Sequence, residues 1–143
     1  MPDIRLIEYG SCDYHDMVAL RDKMLRRPLG LTFSAAYLQQ EVNDILIGCF
    51  DNNRITGCCI LTPVSDTTVQ LRQMAVDDDQ QGKGTGSKVL RFAEEQARKE
   101  GFSELMMHAR EAARPFYEKN GYSVRGEMFT EVGIDHVEMF VKL

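Results

Sequence analysis

Between Thr67 and Glu100 the chain passes from a β-branched, apolar run into three aspartates, then a glycine-rich loop, then a strongly helical stretch. The loop, Gln81-Gly82-Lys83-Gly84-Thr85-Gly86-Ser87, carries glycine at every second position. Strand, glycine loop and helix in that order aim several backbone N–H groups and a helix N-terminus at one spot. Unpaired amides and the positive end of the helix dipole both favour an anion there, which suits a phosphate. Glycine matters because a Cβ would block close approach and oppose the positive φ angles of such a turn. Spacing excludes two familiar phosphate motifs. A Gly-x-x-x-x-Gly-Lys-Ser/Thr loop fails, since Lys83 precedes Gly84 and Lys88 follows Ser87. A Gly-x-Gly-x-x-Gly fingerprint fails because its third position falls on Ser87 counted from Gly82 and on Val89 counted from Gly84. Taken alone, the loop also fits an ordinary glycine turn before a helix.

The rest of the chain reads as alternating strands and helices. Ile4 to Tyr9 forms a first strand, and Ser11 offers an N-cap to a helix reaching about Arg26. Tyr14, Met17, Val18, Met24 and Leu25 sit at helical spacing in it, with Pro28 as its stop. Ser34 caps a short second helix through Gln40. A hairpin follows, Ile45 to Phe50 and Arg54 to Leu61 around Asp51-Asn52-Asn53, and then the strand Thr68 to Val76. The main helix runs from about Lys83 to Glu100, burying Val89, Leu90, Ala93 and Ala97 and stopping at Gly101. A strand at Leu105 to Ala109 and a helix at Ala112 to Lys119 come next. Strands at Tyr122 to Thr130 and His136 to Leu143 close the chain around a turn holding Gly133. The order β-α-α-β-β-β-α-β-α-β-β predicts an α/β (α+β) chain with a mixed sheet and helices around it, in one domain over residues 1–143.

Composition narrows the function classes. A formal charge of −5 argues against nucleic acid as the main partner and is compatible with a cationic acceptor such as an amine. No apolar run reaches the roughly 18 residues of a membrane span, and the N-terminus lacks signal-peptide character, so a cytoplasmic protein is expected. The four cysteines, Cys12, Cys49, Cys58 and Cys59, read as reduced and mostly buried. With three histidines and none at ligand spacing with a cysteine, no metal site is expected.

Two motifs together are more specific than either alone. Gln81, Gly84 and Gly86 form Gln-x-x-Gly-x-Gly, which resembles the pyrophosphate loop of the GNAT acyl-CoA N-acyltransferases. Ala112-Ala113 followed by Phe116-Tyr117-Glu118-Lys119-Asn120-Gly121-Tyr122 resembles the second signature of that superfamily. Both occur in the family's order, over residues 45–143 above all. Phe129-x-Glu131-x-Gly133-Ile134-x-His136, with His108-Ala109-Arg110, is similar to the ElaA-like branch. The resemblance implies a mixed, mostly antiparallel sheet of about seven strands flanked by about four helices. It further implies acetyl-CoA as cofactor and direct acetyl transfer to a primary amine.

On that resemblance, the amides of Gly82, Lys83, Gly84, Thr85, Gly86 and Ser87, with Gln81, cradle the pyrophosphate. Backbone groups at Met74, Ala75 and Val76 pair with the pantetheine arm, and one N–H faces the thioester oxygen. Tyr117 is the implied general acid that protonates the departing thiolate, while Tyr122 reads as core. The base departs from the family pattern, in which many members carry a glutamate on the strand before the loop. Thr67 to Val76 holds no carboxylate, and Gln73 cannot take a proton from an ammonium. His108, His136, Glu131 and Glu138 remain as candidates, the histidines because imidazole ordinarily titrates near neutrality, alongside proton loss through ordered water and a structural role for either histidine. Asp77-Asp78-Asp79 sits oddly beside a pyrophosphate; solvation and offset by Lys83, Lys88 and Arg91 are expected. A non-catalytic acyl-CoA sensor on the same fold and an unrelated phosphate-binding domain are the rival readings. The acceptor's identity is left open, and so is a homodimer.

Overall fold

The computed structural model describes residues 2–143. Among the described residues seven strands form one sheet in the order β1-β2-β3-β4-β5-β7-β6. They are β1 (Asp3–Ile7), β2 (Ile45–Asp51), β3 (Arg54–Pro63), β4 (Thr68–Val76), β5 (Glu104–Arg110), β6 (Ser123–Glu131) and β7 (Ile134–Lys142). β4 and β5 pair parallel; β1–β2, β2–β3, β5–β7 and β6–β7 pair antiparallel. Four α-helices accompany them: α1 (Cys12–Arg21), α2 (Ala35–Gln39), α3 (Thr85–Lys99) and α4 (Arg114–Lys119). The strand and helix content expected from the sequence is therefore present in the expected order.

The chain divides into two compact units, one taking the chain up to Leu61 with Gln73–Ala93, the other Thr62–Arg72 with Glu94–Leu143. In the first, Ser11 caps α1 by accepting from Tyr14 N at 3.2 Å, and Ser34 caps α2 by accepting from Tyr37 N at 3.1 Å. α1 does not run unbroken to Arg26. It widens into a π turn at Asp22–Arg26 and tightens into a 3-10 turn at Arg27–Leu29, ended by left-handed Gly30. The β2–β3 hairpin turns on Asn52 and Asn53, both at positive φ, the geometry of a two-residue turn matched to strand twist. Ile7, Met17, Leu20, Leu46, Phe50 and Ile60 form its core.

One charged pair lies inside that core. Arg21 and Glu41 are 0% and 1% exposed and bonded bidentately at 2.8 and 2.6 Å, with Tyr14 Oη donating to the same carboxylate at 2.8 Å. Burial, then the hydrogen bond to Glu41, pushes the Tyr14 phenol well above its ordinary range. Burial likewise pushes the Cys58 thiol up to about 12, which fits an inert core cysteine.

In the second unit β5 pairs with β7 from Glu104↔Lys142 to Arg110↔His136. Arg125 ties the strands together, bonding Glu104 at 3.1 and 2.9 Å and Glu138 at 2.6 Å, while Lys142 reaches Glu104 at 2.7 Å. The β6–β7 register jumps between Arg125 and Phe129, where Gly126 takes a φ of 81°.

Candidate active site

The glycine loop is fixed at its entry by β4. Gln81 Nε2 donates to Val76 O at 3.3 Å, and Asp77 N donates to Thr56 O at 2.9 Å. Gly82 and Gly84 then take φ of 80° and 82°, and a Cβ on either would meet nothing within 4 Å. Conformation, not crowding, selects glycine here, and the space before the loop is open. α3 starts at Thr85, two residues later than the sequence suggests, because left-handed glycines cannot belong to a right-handed helix. Within the turn, Lys83 N donates to Gln80 O and Lys88 N to Gly84 O. The amides of Thr85, Gly86 and Ser87 are the first-turn donors that a helix leaves unpaired. Gly57 on β3 lets this turn seat closely, since a Cβ there would stand 3.1 Å from Thr85 Cγ2. The residues fit a phosphate group: open, glycine-shaped and lined with donors.

The three aspartates beside it are neutralised from elsewhere than expected. Lys23 Nζ bonds Asp77 at 2.7 Å, and Arg54 bonds Asp77 at 3.2 Å and Asp79 at 2.9 Å. Asp78 and Asp79 are exposed, but the Asp77 side chain is only 13% exposed, which corrects the expectation that all three are solvated. The Lys23 bond holds the Asp77 carboxyl below the usual carboxylate range. Lys23 and Arg54 thus supply charge that the sequence reading, which named Lys83, Lys88 and Arg91, did not foresee.

On β4 the ladder to β5 spans Thr68 to Leu71. Gln73 follows with a φ of 56°, inside a strand and on a residue with a side chain. Its Nε2 donates to Tyr37 Oη at 3.2 Å, and its Oε1 is buried without a partner. Met74 and Val76 are half-buried and Ala75 is buried. Nothing in the residue pattern of Thr68 to Val76 marks this left-handed step, so sequence reasoning missed it.

In the second unit Tyr117 lies on α4, 5% exposed, its ring edge-on to Phe116 at 5.1 Å and to Tyr122 at 5.9 Å. Tyr122 is buried, and its hydroxyl donates to buried Glu94 at 2.7 Å, a core role. His108 on β5 and His136 on β7 are brought together through Glu131 at the end of β6. His108 Nδ1 is 3.1 Å from Glu131 Oε1, and His136 Nε2 is 3.8 Å from Glu131 Oε2. Phe129 packs between them, edge-on to His108 at 5.0 Å and stacked on His136 at 5.9 Å.

These contacts set the tautomers. The Ile134 carbonyl, 2.8 Å from His136 Nδ1, can only accept, so that nitrogen carries hydrogen and Nε2 is bare when the ring is neutral. An ionised Glu131 can only accept as well, so His108 carries hydrogen on Nδ1 and keeps its lone pair on Nε2. The His108 side chain is 34% exposed and that of His136 5%, so His108 is the histidine open to a bound molecule. Glu138, the other candidate carboxylate, is taken by Arg125. Among the described residues no cluster of His, Cys, Asp or Glu is arranged to hold a metal, and no helix is long and apolar enough to cross a membrane.

A glycine turn that follows β4 and opens α3, in a chain with a mostly antiparallel seven-stranded sheet, is the arrangement of an acyltransferase-type fold. The comparisons with known proteins agree. The family described as "Acetyltransferase (GNAT) domain" matches residues 43–124. The UPF0039 protein of Schizosaccharomyces pombe is 30% identical over 111 residues, 72% of this chain and 74% of that protein. Probable N-acetyltransferase 14 of Xenopus tropicalis is 33% identical over 86 residues, 57% of this chain, and the match spans only 42% of that protein. The chain belongs to the GNAT acetyltransferase family. Its fold is shared with a candidate N-acetyltransferase from Lactobacillus plantarum (TM-score 0.88, 22% identity, 99% and 98% of the two chains). A GNAT family acetyltransferase from Elizabethkingia anophelis, solved with acetyl-CoA bound, gives 0.76 at 20% identity over 99% and 98%. Escherichia coli ElaA gives 0.79 at 14% identity over 98% and 99%. At these identities the structural likeness is one of fold.

Proposed function

We propose that residues 1–143 act as one N-acetyltransferase domain that moves an acetyl group from acetyl-CoA directly to a primary amine. The observation that carries this reading is the open, left-handed Gly82–Gly84 turn leading into α3, in a chain of this family. Bound acetyl-CoA supplies the acetyl thioester. The first-turn amides of α3, with Gln81 bracing the loop, hold the pyrophosphate, and the backbone of Met74 to Val76 pairs with the pantetheine arm. His108 Nε2 takes the proton from the acceptor ammonium, and Glu131 holds that ring in the tautomer the step needs and supports the imidazolium that results. With acetyl-CoA bound, the amine nitrogen would take the acetyl carbon from sulfur, the carbon–sulfur bond breaking as the carbon–nitrogen bond forms. Tyr117 gives its phenolic proton to the departing thiolate, a transfer between groups of similar acidity. His136, its Nδ1 hydrogen committed to the Ile134 carbonyl, stacks on Phe129 and backs the pair from the buried side without taking the proton.

The test is thiol release from acetyl-CoA over a broad amine panel, alongside calorimetry with coenzyme A. Binding and turnover together support the enzyme. Binding without turnover of any amine leaves the non-catalytic sensor, and no binding at millimolar coenzyme A removes the reading altogether.

A further inference from the structure

We propose that Arg26, Phe33, Tyr37 and Gln73 form the acceptor site, and that it selects an amine that also carries a carboxylate. The proposal rests on the acetyl-transfer reading above and names its substrate class. It starts from two polar groups left unanswered within one unit. Gln73 is the only residue other than glycine, among those described, that takes a positive φ outside a hairpin turn; Asn52, Asn53 and Val132 are turn residues. Backbone outliers of this kind persist where the surroundings enforce them, and they cluster at ligand sites. The Gln73 carboxamide is fixed at one end by the bond from Nε2 to Tyr37 Oη, which turns Oε1 away from the tyrosine. That oxygen is buried and has no donor. A buried acceptor without a donor calls for an explanation, and an amine N–H is the donor the reaction brings.

The second group is Arg26. Its guanidinium carbon stands 4.6 Å from the Phe33 ring centre and 5.2 Å from that of Tyr37, and the two rings stack on each other at 5.7 Å. Among the described residues that guanidinium has no carboxylate and no hydrogen-bond partner, in a chain of net charge −5. Arg21 also lies over Phe33, but Glu41 answers its charge. Two aromatic faces restrict the Arg26 plane while leaving its N–H edge available, which is the geometry for bidentate carboxylate capture. Arg26 is placed there by the π turn at Asp22–Arg26, a helix irregularity often found at functional sites. Tyr37 touches both groups, so amide oxygen, aromatic shelf and guanidinium form one continuous surface. An amine at one end, a hydrocarbon spacer on the rings and a carboxylate at the other end satisfy all three.

The experiment compares two matched series with acetyl-CoA, ω-amino carboxylates and the alkylamines of the same length, in wild type, Arg26→Gln, Arg26→Lys and Gln73→Met. Wild type is expected to favour the carboxylates by tenfold or more in kcat/KM, about what one charge-assisted pair supplies. Arg26→Gln should raise KM for the carboxylates by a factor about ten times greater than any change in the alkylamine KM, and that difference should be partly restored in Arg26→Lys. Gln73→Met should weaken both series alike. Equal use of both series, or an Arg26→Gln effect shared by both, overturns the proposal. If no member turns over, calorimetry of the same amino carboxylates into coenzyme A-loaded protein decides: Arg26-dependent binding supports the site, and no binding overturns it. Failure of coenzyme A itself to bind instead refutes the acetyltransferase reading.

Discussion

Replacing Glu41 by glutamine should destabilise this protein far more than such a small change suggests. Arg21 is wholly buried, its Nε already lacks a partner, and its other nitrogens depend on the Glu41 carboxylate at 2.8 and 2.6 Å. Glutamine keeps the volume and can still accept from Tyr14, but it leaves a buried guanidinium with no counter-charge. Breaking a buried pair from one side costs about 3–5 kcal/mol, because desolvation of the remaining ion is no longer offset. For a domain of this size each kcal/mol moves the melting midpoint by about 3 °C, so a fall of roughly 10–15 °C is expected. Removing the whole polar set in the variant Tyr14→Phe/Arg21→Met/Glu41→Leu should cost much less, since well-packed apolar replacements of buried pairs are often neutral. Urea and thermal melts followed by circular dichroism measure both. A Glu41→Gln midpoint within about 3 °C of wild type would refute the reasoning, because it would mean the guanidinium is hydrated or finds another partner.

The acid limb of stability should respond to Glu104, whose carboxyl is held at about 2 by the Arg125 bonds and then by Lys142, against an ordinary 4.5. A depressed carboxylate stabilises fully above its unfolded value and loses that contribution as pH falls from about 4.5 through about 2, so Glu104→Gln should flatten urea-melt stability across that window. Tyr117→Phe should lower acetyl turnover by about 10²–10⁴-fold with coenzyme A affinity nearly unchanged; a wild-type rate would end the acid assignment. Gly84→Val, at a φ of 82°, should weaken coenzyme A binding in calorimetry through loop distortion while the protein stays folded, and normal binding would make the loop structural. His108→Gln should remove the rise in rate across the range where imidazole ordinarily titrates, about pH 6 to 8, while Glu131→Gln should lower the rate and keep a rise; an unchanged profile in His108→Gln would pass the base role to solvent.

What could be read from sequence was what short-range chemistry determines. The serine caps at Ser11 and Ser34, the Asn52-Asn53 turn and the α3 stripe of Val89, Leu90, Ala93 and Ala97 each depend on neighbours a few residues away. The glycine loop was legible for the same reason. The Arg21–Glu41 pair was not, because residues twenty apart join only once the core assembles, and a glutamate after a short helix carries no sign of burial. Lys23 and Arg54 reach Asp77 across 54 and 23 residues, so a reading of nearby cations alone did not find them. His108, His136 and Glu131 could be named singly. Their meeting depends on the β5–β7–β6 pairing, and the tautomers depend on a carbonyl that no residue identity records.

The jump in register between β6 and β7 has a consequence for how this protein behaves in a crowded solution. β6 is the last strand of the sheet and nine residues long, so one side of it offers unpaired backbone groups to any other chain. The jump divides it into two paired runs of three, Ser123–Arg125 and Phe129–Glu131, with Gly126 turning the chain between them. Neither run is long enough to template a strand from another molecule, and Arg125, Glu127 and Glu131 place charge along it. The same irregularity that shapes the hairpin therefore makes this one of the sheet's two edge strands a poor template for another chain.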